Sequence, residues 1–110
     1  MYIMQEPTSI VLWYSHFMAI PQKHYKELCT LFSSIETEKE ADRLIQDLLT
    51  PQEIGSLAER WQLIQMLAKG VSQRGIAQTL NISISTVTRG SRAFQYGSGG
   101  FKYFLKKLKK

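Results

Sequence analysis

The sequence predicts an all-α protein, because apolar residues recur three or four positions apart while strand patterns are scarce. Residues 22–33, for example, carry Tyr25, Leu28, Cys29 and Phe32 at this spacing. The 110 residues, of which 44% are hydrophobic, suffice for a single domain over residues 1–110. A chain of this length buries a modest share of its surface, so oligomerisation would add stability.

About six helices are expected. The first covers about Ser9 to Ala19, and after Pro21 the second covers about Gln22 to Ser33. The next lies within "ETEKEADRLIQDLL", whose acidic start suits the positive end of a helix dipole. The clearest helix is "LTPQEIGSLAERWQLIQMLAKG".

That clearest helix has recognisable ends. Thr50 is the expected N-cap, Pro51 the first helical residue and Glu53 the partner in a capping box. Gly70 is expected to terminate it. Its apolar residues occupy more than one side, which is typical of a central helix or one shared with a partner chain.

The second half of the sequence predicts shorter elements. "SQRGIAQTL" and "SISTVTRGSRAF" are two short helices within residues 72–94, and "QYGSGG" is a flexible joint. "FKYFLKKLKK" predicts an amphipathic C-terminal helix over residues 100–110. Its lysines either strengthen contact with phosphates or merely solvate the end of the chain.

Charge is distributed unevenly along the chain. Residues 1–50 hold four Lys or Arg and seven Asp or Glu, a balance of −3. Residues 51–110 hold ten Lys or Arg and two Asp or Glu, a balance of +8, and no acidic residue follows Glu59. A basic half attached to a mildly acidic half favours a polyanionic partner, most simply nucleic acid. The alternative is a solvated lysine-rich surface.

The two short helices fit a helix-turn-helix. Ala77 is small where the helices would cross, and Asn81 tolerates the positive φ of a tight turn. Ile82 and Val87 then return apolar side chains to the core, together with Ile76 and Leu80. The alternative is an ordinary helical hairpin.

In a helix-turn-helix, the second helix would enter the major groove of double-stranded DNA. Ser83 would cap that helix. Short hydroxyl side chains cannot make the bidentate base contacts of arginine, so we expect specificity built partly from water and DNA shape. The candidate DNA-binding residues are Ser72, Gln73, Arg74, Ser83, Ile84, Ser85, Thr86 and Thr88.

Other chemistry is not indicated. His16 and His24 have no third ligand or acid beside them, so no metal site is expected. No catalytic constellation is visible, and the protein is not expected to be an enzyme or to need a cofactor. The single cysteine and the absence of a basic signal-like start favour the cytoplasm, and no membrane partner is expected.

The segments "LLTPQE", "LAERWQLIQMLAKG", "SQR" and "TRGS" together resemble the tryptophan (Trp operon) repressor family. The resemblance covers about Leu48 to Phe94. It implies an intertwined all-α homodimer in which residues 8–69 form dimerisation helices and residues 72–94 form the DNA-reading head. It further implies a transcriptional repressor that uses L-tryptophan as corepressor and controls genes for tryptophan biosynthesis or uptake.

The resemblance also implies a set of ligand residues. Arg60 and Arg89 match the two arginines that sandwich the indole ring, and guanidinium planes suit both the ring and a carboxylate. The other matching positions are Asp47, Leu49 and Thr50 at the polar end of the ligand, Gly90 beside its ring and Ala93 near its amino group. The family often has Ser where Ala93 stands.

Two alternatives remain. "QYGSGGF" is similar to regulators of the same family that have no demonstrated tryptophan site. The chain would then be a helix-turn-helix regulator that tryptophan does not gate. The third class is a basic protein-interaction domain.

Overall fold

A computed structural model of the chain describes residues 15–109, and those residues form helices with no strand. Residues 15–18 are helical, while residues 9–14 of the predicted first helix lie outside the described residues. The all-α fold class is therefore confirmed. Six helices have complete bounds in the described part of the chain: α1 (Gln22–Ser33), α2 (Glu38–Leu48), α3 (Pro51–Ala68), α4 (Gln73–Leu80), α5 (Ile84–Tyr96) and α6 (Gly100–Leu108).

The chain divides into two compact units, Met1–Leu44 and Ile45–Lys110. The first unit contains α1 and most of α2, and neither helix has a buried residue. Its α2 begins with Glu38 and Glu40, whose charges complement the positive end of the helix dipole. The backbone N–H of Glu40 also donates to Thr37 Oγ1 at 3.1 Å. The acidic start that was read from the sequence therefore does begin a helix.

The predicted capping box at the start of α3 is confirmed. The Glu53 N–H donates to Thr50 Oγ1 at 3.2 Å, and the Thr50 N–H donates to Glu53 Oε1 at 2.8 Å. Pro51 occupies the first turn, where its missing N–H costs nothing. At the other end, Lys69 is the C-cap and Gly70 adopts a φ of 85°, a left-handed value that suits glycine. The helix therefore has the ends that its sequence predicts.

The core of the second unit comes from three helices. Leu63 and Ile64 of α3, Ile76 of α4 and Val87 of α5 are each at most 2% exposed. Partly buried side chains of the same helices, among them Met66 and Leu80, pack around them. Burying side chains of this size stabilises a fold by about 1.5–3 kcal/mol each. This small cluster therefore holds α3, α4 and α5 together.

The C-terminal helix α6 packs on the same core through Phe101 and Leu105, which are partly buried. The ring of Phe101 lies 6.4 Å from that of Trp61 on α3, centroid to centroid. The turn that leads into α6 contains Gly99, which has a φ of 95° that an L side chain rarely adopts. The final helix is therefore part of the second unit and is not a free tail.

Helices α3 and α5 approach closely at Gly90. A Cβ atom at that position would lie 2.5 Å from Cδ2 of Leu63, well inside van der Waals contact. Leu63 is only 2% exposed, so its side chain has little room to move away. A Cβ at residue 90 would therefore require Leu63 to move or α5 to shift away from α3.

Replacing Gly90 with alanine should destabilise the protein by about 1 kcal/mol, since overpacking costs about 1–3 kcal/mol while alanine regains about 0.5–1 kcal/mol of helix propensity. Gly55 is the matched control, because a Cβ there meets nothing within 4 Å. We expect Gly55→Ala to stabilise the protein. Urea denaturation of both variants measures the difference, and equal effects of the two substitutions would contradict the close approach.

Candidate nucleic-acid interface and ligand site

Helices α4 and α5 are joined by a tight turn at residues 81–83. Ser72 begins α4 as its N-cap, and its Oγ accepts from the Gly75 N–H at 3.0 Å. Asn81 ends α4 in the left-handed conformation, with φ 56° and ψ 49°. The N–H groups of Asn81 and Ile82 both donate to the carbonyl of Ala77, the latter at 3.0 Å. The turn residue predicted from the sequence, Asn81, is confirmed, as is the predicted cap Ser83 at the start of α5.

The inner faces of the two helices meet the core. Ile76 and Val87 are fully buried, while Ala77 and Ile82 are partly buried beside them. A small side chain at residue 77 permits the close crossing that a short turn imposes. The apolar positions expected of this two-helix unit therefore have the burial that the sequence predicted.

Hydroxyl groups cluster at the start of α5. Ser83 is the N-cap, and its Oγ accepts from the Thr86 N–H at 3.2 Å. The same Oγ lies 2.8 Å from Thr86 Oγ1 and 3.0 Å from Ser85 Oγ. Because these hydroxyls bond to one another, their positions are held before any ligand arrives. Beside them, Ile84 is 52% exposed.

Gln73 and Thr88 connect the two helices directly. Thr88 Oγ1 lies 3.0 Å from Gln73 Oε1 and 2.9 Å from the carbonyl oxygen of Ile84. A hydroxyl has one proton, so it donates to one of these acceptors at a time. Both residues are half-buried. Two of the candidate DNA-binding side chains are therefore engaged with each other across α4 and α5.

Arg74 is the long basic side chain in the first turn of α4. It is exposed, and it has no hydrogen bond or ion pair with another described residue. Ser72 and Ser83, the caps of the two helices, are also exposed. The donors and hydroxyls at the starts of α4 and α5 are thus accessible to a phosphate or a base edge.

The candidate ligand residues all belong to the second unit, and most of them are exposed. Arg60 and Arg89 are both accessible, and neither has a hydrogen bond or ion pair with another described residue. Asp47, Thr50 and Ala93 are exposed too, whereas Leu49 and Gly90 are half-buried. The Thr50 hydroxyl accepts the capping hydrogen bond from Glu53, so its own proton remains available for an acceptor.

Gly90 lies against Leu63 in the direction that a Cβ atom would take. Gly90 therefore has a packing role between α3 and α5 in the chain itself. Its place beside a ligand ring, which the resemblance implies, stays a prediction. A ligand ring near Gly90 would have to lie beside its backbone or on the side away from Leu63.

No acidic side chain follows Glu59, while Arg60, Lys69, Arg74, Arg89 and Arg92 precede the lysines of α6. The surface of α4, α5 and α6 therefore has a positive field that favours a polyanion. Among residues 15–109, no group of three or more His, Cys, Asp or Glu could hold a metal ion. Arginine side chains can bind phosphates and carboxylates and can stack on aromatic rings, and hydroxyl groups can form hydrogen bonds with phosphates.

Two capped helices in a basic stretch with no acidic residue after Glu59 are typical of a nucleic-acid-binding regulator. A profile described as "Trp repressor protein" matches residues 23–109, and the chain belongs to this family of transcriptional regulators. The "Trp operon repressor homolog" of Mannheimia succiniciproducens is 40% identical over 79 residues, which cover 71% of this chain and 77% of the relative.

Two further relatives resemble most of the chain. The "Trp operon repressor homolog" of Chlamydia caviae is 39% identical over 85 residues, which cover 76% of this chain and 81% of the relative. The "Uncharacterized protein YerC" of Bacillus subtilis is 34% identical over 95 residues, which cover 84% of this chain and 91% of the relative. No solved structure gives a significant match. No helix in residues 15–109 has the length and hydropathy to cross a membrane.

Sequence reasoning missed two contacts that shape this region. It gave Gln73 and Thr88 separate roles at the DNA, although they bond to each other. It also did not pair Gly90 with Leu63. The Arg-Gly pair within an otherwise regular helix was the available signal for a close approach, since glycine in a helix interior has a cost that packing must offset.

The hydrogen bond between Gln73 and Thr88 should give a measurable coupling between the two residues in the free energy of unfolding. We expect a double-mutant cycle of Gln73→Leu and Thr88→Val to give about 0.5–1.5 kcal/mol, the net value of a hydrogen bond between neutral groups. Gln78 is an exposed glutamine on the same helix, so Gln78→Leu with Thr88→Val is the control cycle. Denaturant unfolding measures both cycles, and equal coupling in the two would show that the bond contributes nothing.

Proposed function

We propose that the protein is a DNA-binding transcriptional repressor with L-tryptophan as corepressor, controlling genes for tryptophan biosynthesis or uptake. The observation that carries the proposal is the accessible start of α5, where Ser83, Ile84 and Ser85 project from a packed frame in a basic half. Family membership supports the regulatory role. We place the protein in the cytoplasm, where bacterial regulators meet their DNA.

In this proposal, α4, the turn and α5 form a helix-turn-helix whose second helix enters the major groove. Ile84 has the exposure and chemistry to contact a thymine methyl group. Ser83 and Ser85 hold phosphates or ordered water, and Arg74 supplies a long donor for a phosphate or a base edge. Gln73 and Thr88 fix the angle between the helices, so they position the contact residues in addition to any contact of their own.

The proposed active form is a homodimer. Within the first unit, α1 leaves large apolar side chains uncovered, namely Tyr25, Leu28, Leu31 and Phe32. Leu57 of α3 is also 46% exposed. Uncovered apolar residues at helical spacing support a second copy as the covering partner. Two copies related by a twofold axis would bring two reading heads to successive major grooves of a palindromic operator.

Arg60 and Arg89 would sandwich the indole ring, and Arg89 would also pair with the carboxylate. Both guanidinium groups lack a partner among the described residues, so binding would not first have to break an ion pair. The Thr50 hydroxyl and the backbone carbonyls near Asp47 and Leu49 would hold the polar end. The ligand would fix the spacing of the reading heads, which couples its binding to DNA affinity.

One alternative has specific support. Ala93 carries no hydroxyl for the amino group of tryptophan. This observation favours a helix-turn-helix regulator that tryptophan does not gate. A basic protein-interaction domain is the remaining alternative, and failure to bind DNA at low salt would favour it.

We expect the protein to bind a palindrome upstream of its own gene, or of tryptophan genes, about 10³-fold more tightly than a scrambled duplex. Arg74→Ala should weaken this binding because a long donor at the reading head is lost. Lys23→Ala removes the same charge from α1 and should leave binding unchanged. Fluorescence anisotropy measures the affinities, and equal binding to both duplexes would contradict sequence-specific reading.

Titration calorimetry tests the ligand. L-tryptophan should bind the folded dimer. Both Arg89→Ala and Arg89→Lys should weaken this binding at least about tenfold, or about 1.4 kcal/mol. Lysine is no substitute because it neither stacks on an aromatic ring nor forms paired hydrogen bonds with a carboxylate as arginine does. Arg74→Ala should leave the heat unchanged. Absence of heat at about millimolar ligand would favour the ungated regulator.

A further inference from the structure

The outward face of α6 carries a dense set of lysines. Phe101 and Leu105 turn the other face of this helix toward the core. Successive residues of a helix are rotated by about 100°. Lys106 and Lys107 therefore lie on the side away from that packed face, Lys102 borders it beside Phe94, and all three are exposed. We call these three residues the lysine face.

No residue in the described range 15–109 neutralises the charges of the lysine face. None of its three ammonium groups has an ion pair with another described residue. Two of them instead lie over aromatic rings: Lys102 Nζ is 5.7 Å from the ring centroid of Phe94, and Lys107 Nζ is 5.7 Å from that of Phe104. These contacts hold the cations near the surface and leave their hydrogen-bond donors available.

The stability of α6 explains the positions of only two of the three lysines. Lys106 and Lys107 lie in the last turn, where a cation complements the negative end of the helix dipole. Lys102 lies in the first turn, where a cation opposes the positive end. Its presence there favours a role outside the helix.

The lysine face is also fixed in place beside α5. Phe94 belongs to α5, so Lys102 lies next to the C-terminal part of that helix. Only Gly97, Ser98 and Gly99 separate the two helices, and three residues span at most about 10 Å. The contact of Phe101 with Trp61 holds α6 against α3 at the same time. The lysines are therefore carried by the same packed unit as the proposed reading head.

We propose that the lysine face is a second DNA contact, which binds backbone phosphates of the duplex that α5 reads. This proposal rests on the proposed function. The ligand of the lysine face is the phosphate backbone. The ammonium group of lysine neutralises a phosphate, but it lacks the planar guanidinium group with which arginine forms paired hydrogen bonds, so it carries no base specificity. The lysine face therefore adds affinity for any sequence and no preference among sequences.

Salt dependence tests the proposal directly. Each phosphate contact that a lysine makes contributes about 0.9 to the slope of log K against log salt. The triple variant Lys102→Gln, Lys106→Gln, Lys107→Gln should lower the magnitude of that slope by up to about 2.7 for each bound subunit, which is up to about 5.4 for the proposed dimer. Anisotropy with a random-sequence duplex between about 50 and about 200 mM salt measures it. Glutamine has nearly the helix propensity of lysine, and circular dichroism checks that α6 remains folded.

Two controls sharpen the result. The triple variant Lys23→Gln, Lys26→Gln, Lys39→Gln removes the same charge from exposed positions of the first unit. It should leave the slope unchanged. Replacing the three lysines of α6 with arginine keeps the positive charge, so the salt slope should remain that of the wild type. Equal slopes for the wild type and the α6 glutamine variant, or equal losses in both glutamine variants, would overturn the proposal.

A second readout separates this proposal from the proposed function and from a membrane role. If the upstream palindrome is not preferred but the α6 slope change is present, sequence-specific repression fails and the lysine face stands as a DNA contact. If the palindrome is preferred and the slope is unchanged, the lysine face alone fails. Loss of cosedimentation with vesicles of anionic phospholipid in the α6 variant, with no change in DNA slope, would overturn it in favour of a membrane surface.

Discussion

The contact between Gly90 and Leu63 sets how closely α5 lies against α3. Leu63 belongs to the small core that also includes Ile64, Ile76 and Val87, so this one approach fixes α5 relative to α3 and α4 together. A core of this size has little redundancy, since overpacking by one methylene already costs about 1–3 kcal/mol. The close packing of α5 on α3 is therefore sensitive to a Cβ at residue 90. In the proposed function, Arg89, which precedes Gly90 in α5, contacts the ligand.

The surface built on that frame combines short polar groups with distributed positive charge. The hydroxyls of Ser83, Ser85 and Thr86 bond to one another, which lowers the entropy that would be lost when they bind a phosphate or water. No acidic residue after Glu59 opposes the field of the arginines and lysines. In the proposed function, the basic residues supply affinity for DNA, and the short hydroxyl side chains discriminate between sequences through hydrated contacts. This division would let a helix with few long side chains read DNA.

Features encoded by local sequence could be predicted. The capping box at Thr50, the left-handed Asn81 and the cap at Ser83 depend on residues within a few positions of one another, and all three are confirmed. Contacts between helices could not be predicted in the same way. The bond of Gln73 with Thr88 joins residues 15 positions apart, and helical periodicity does not specify which side chains meet across a crossing. The role of Arg60 remains a prediction, because a sandwich depends on groups that meet only when the ligand is bound.

In the proposed function, one packed unit couples the binding of an aromatic amino acid to the binding of DNA. Coupling between two ligands is reciprocal, so tryptophan must raise operator affinity by the same factor by which operator raises tryptophan affinity. The most direct measurement is the operator dissociation constant at zero and at saturating L-tryptophan, at fixed salt. Tryptophan should tighten operator binding by about 5–150-fold, the usual range of such coupling. An operator affinity that is the same with and without tryptophan would contradict it.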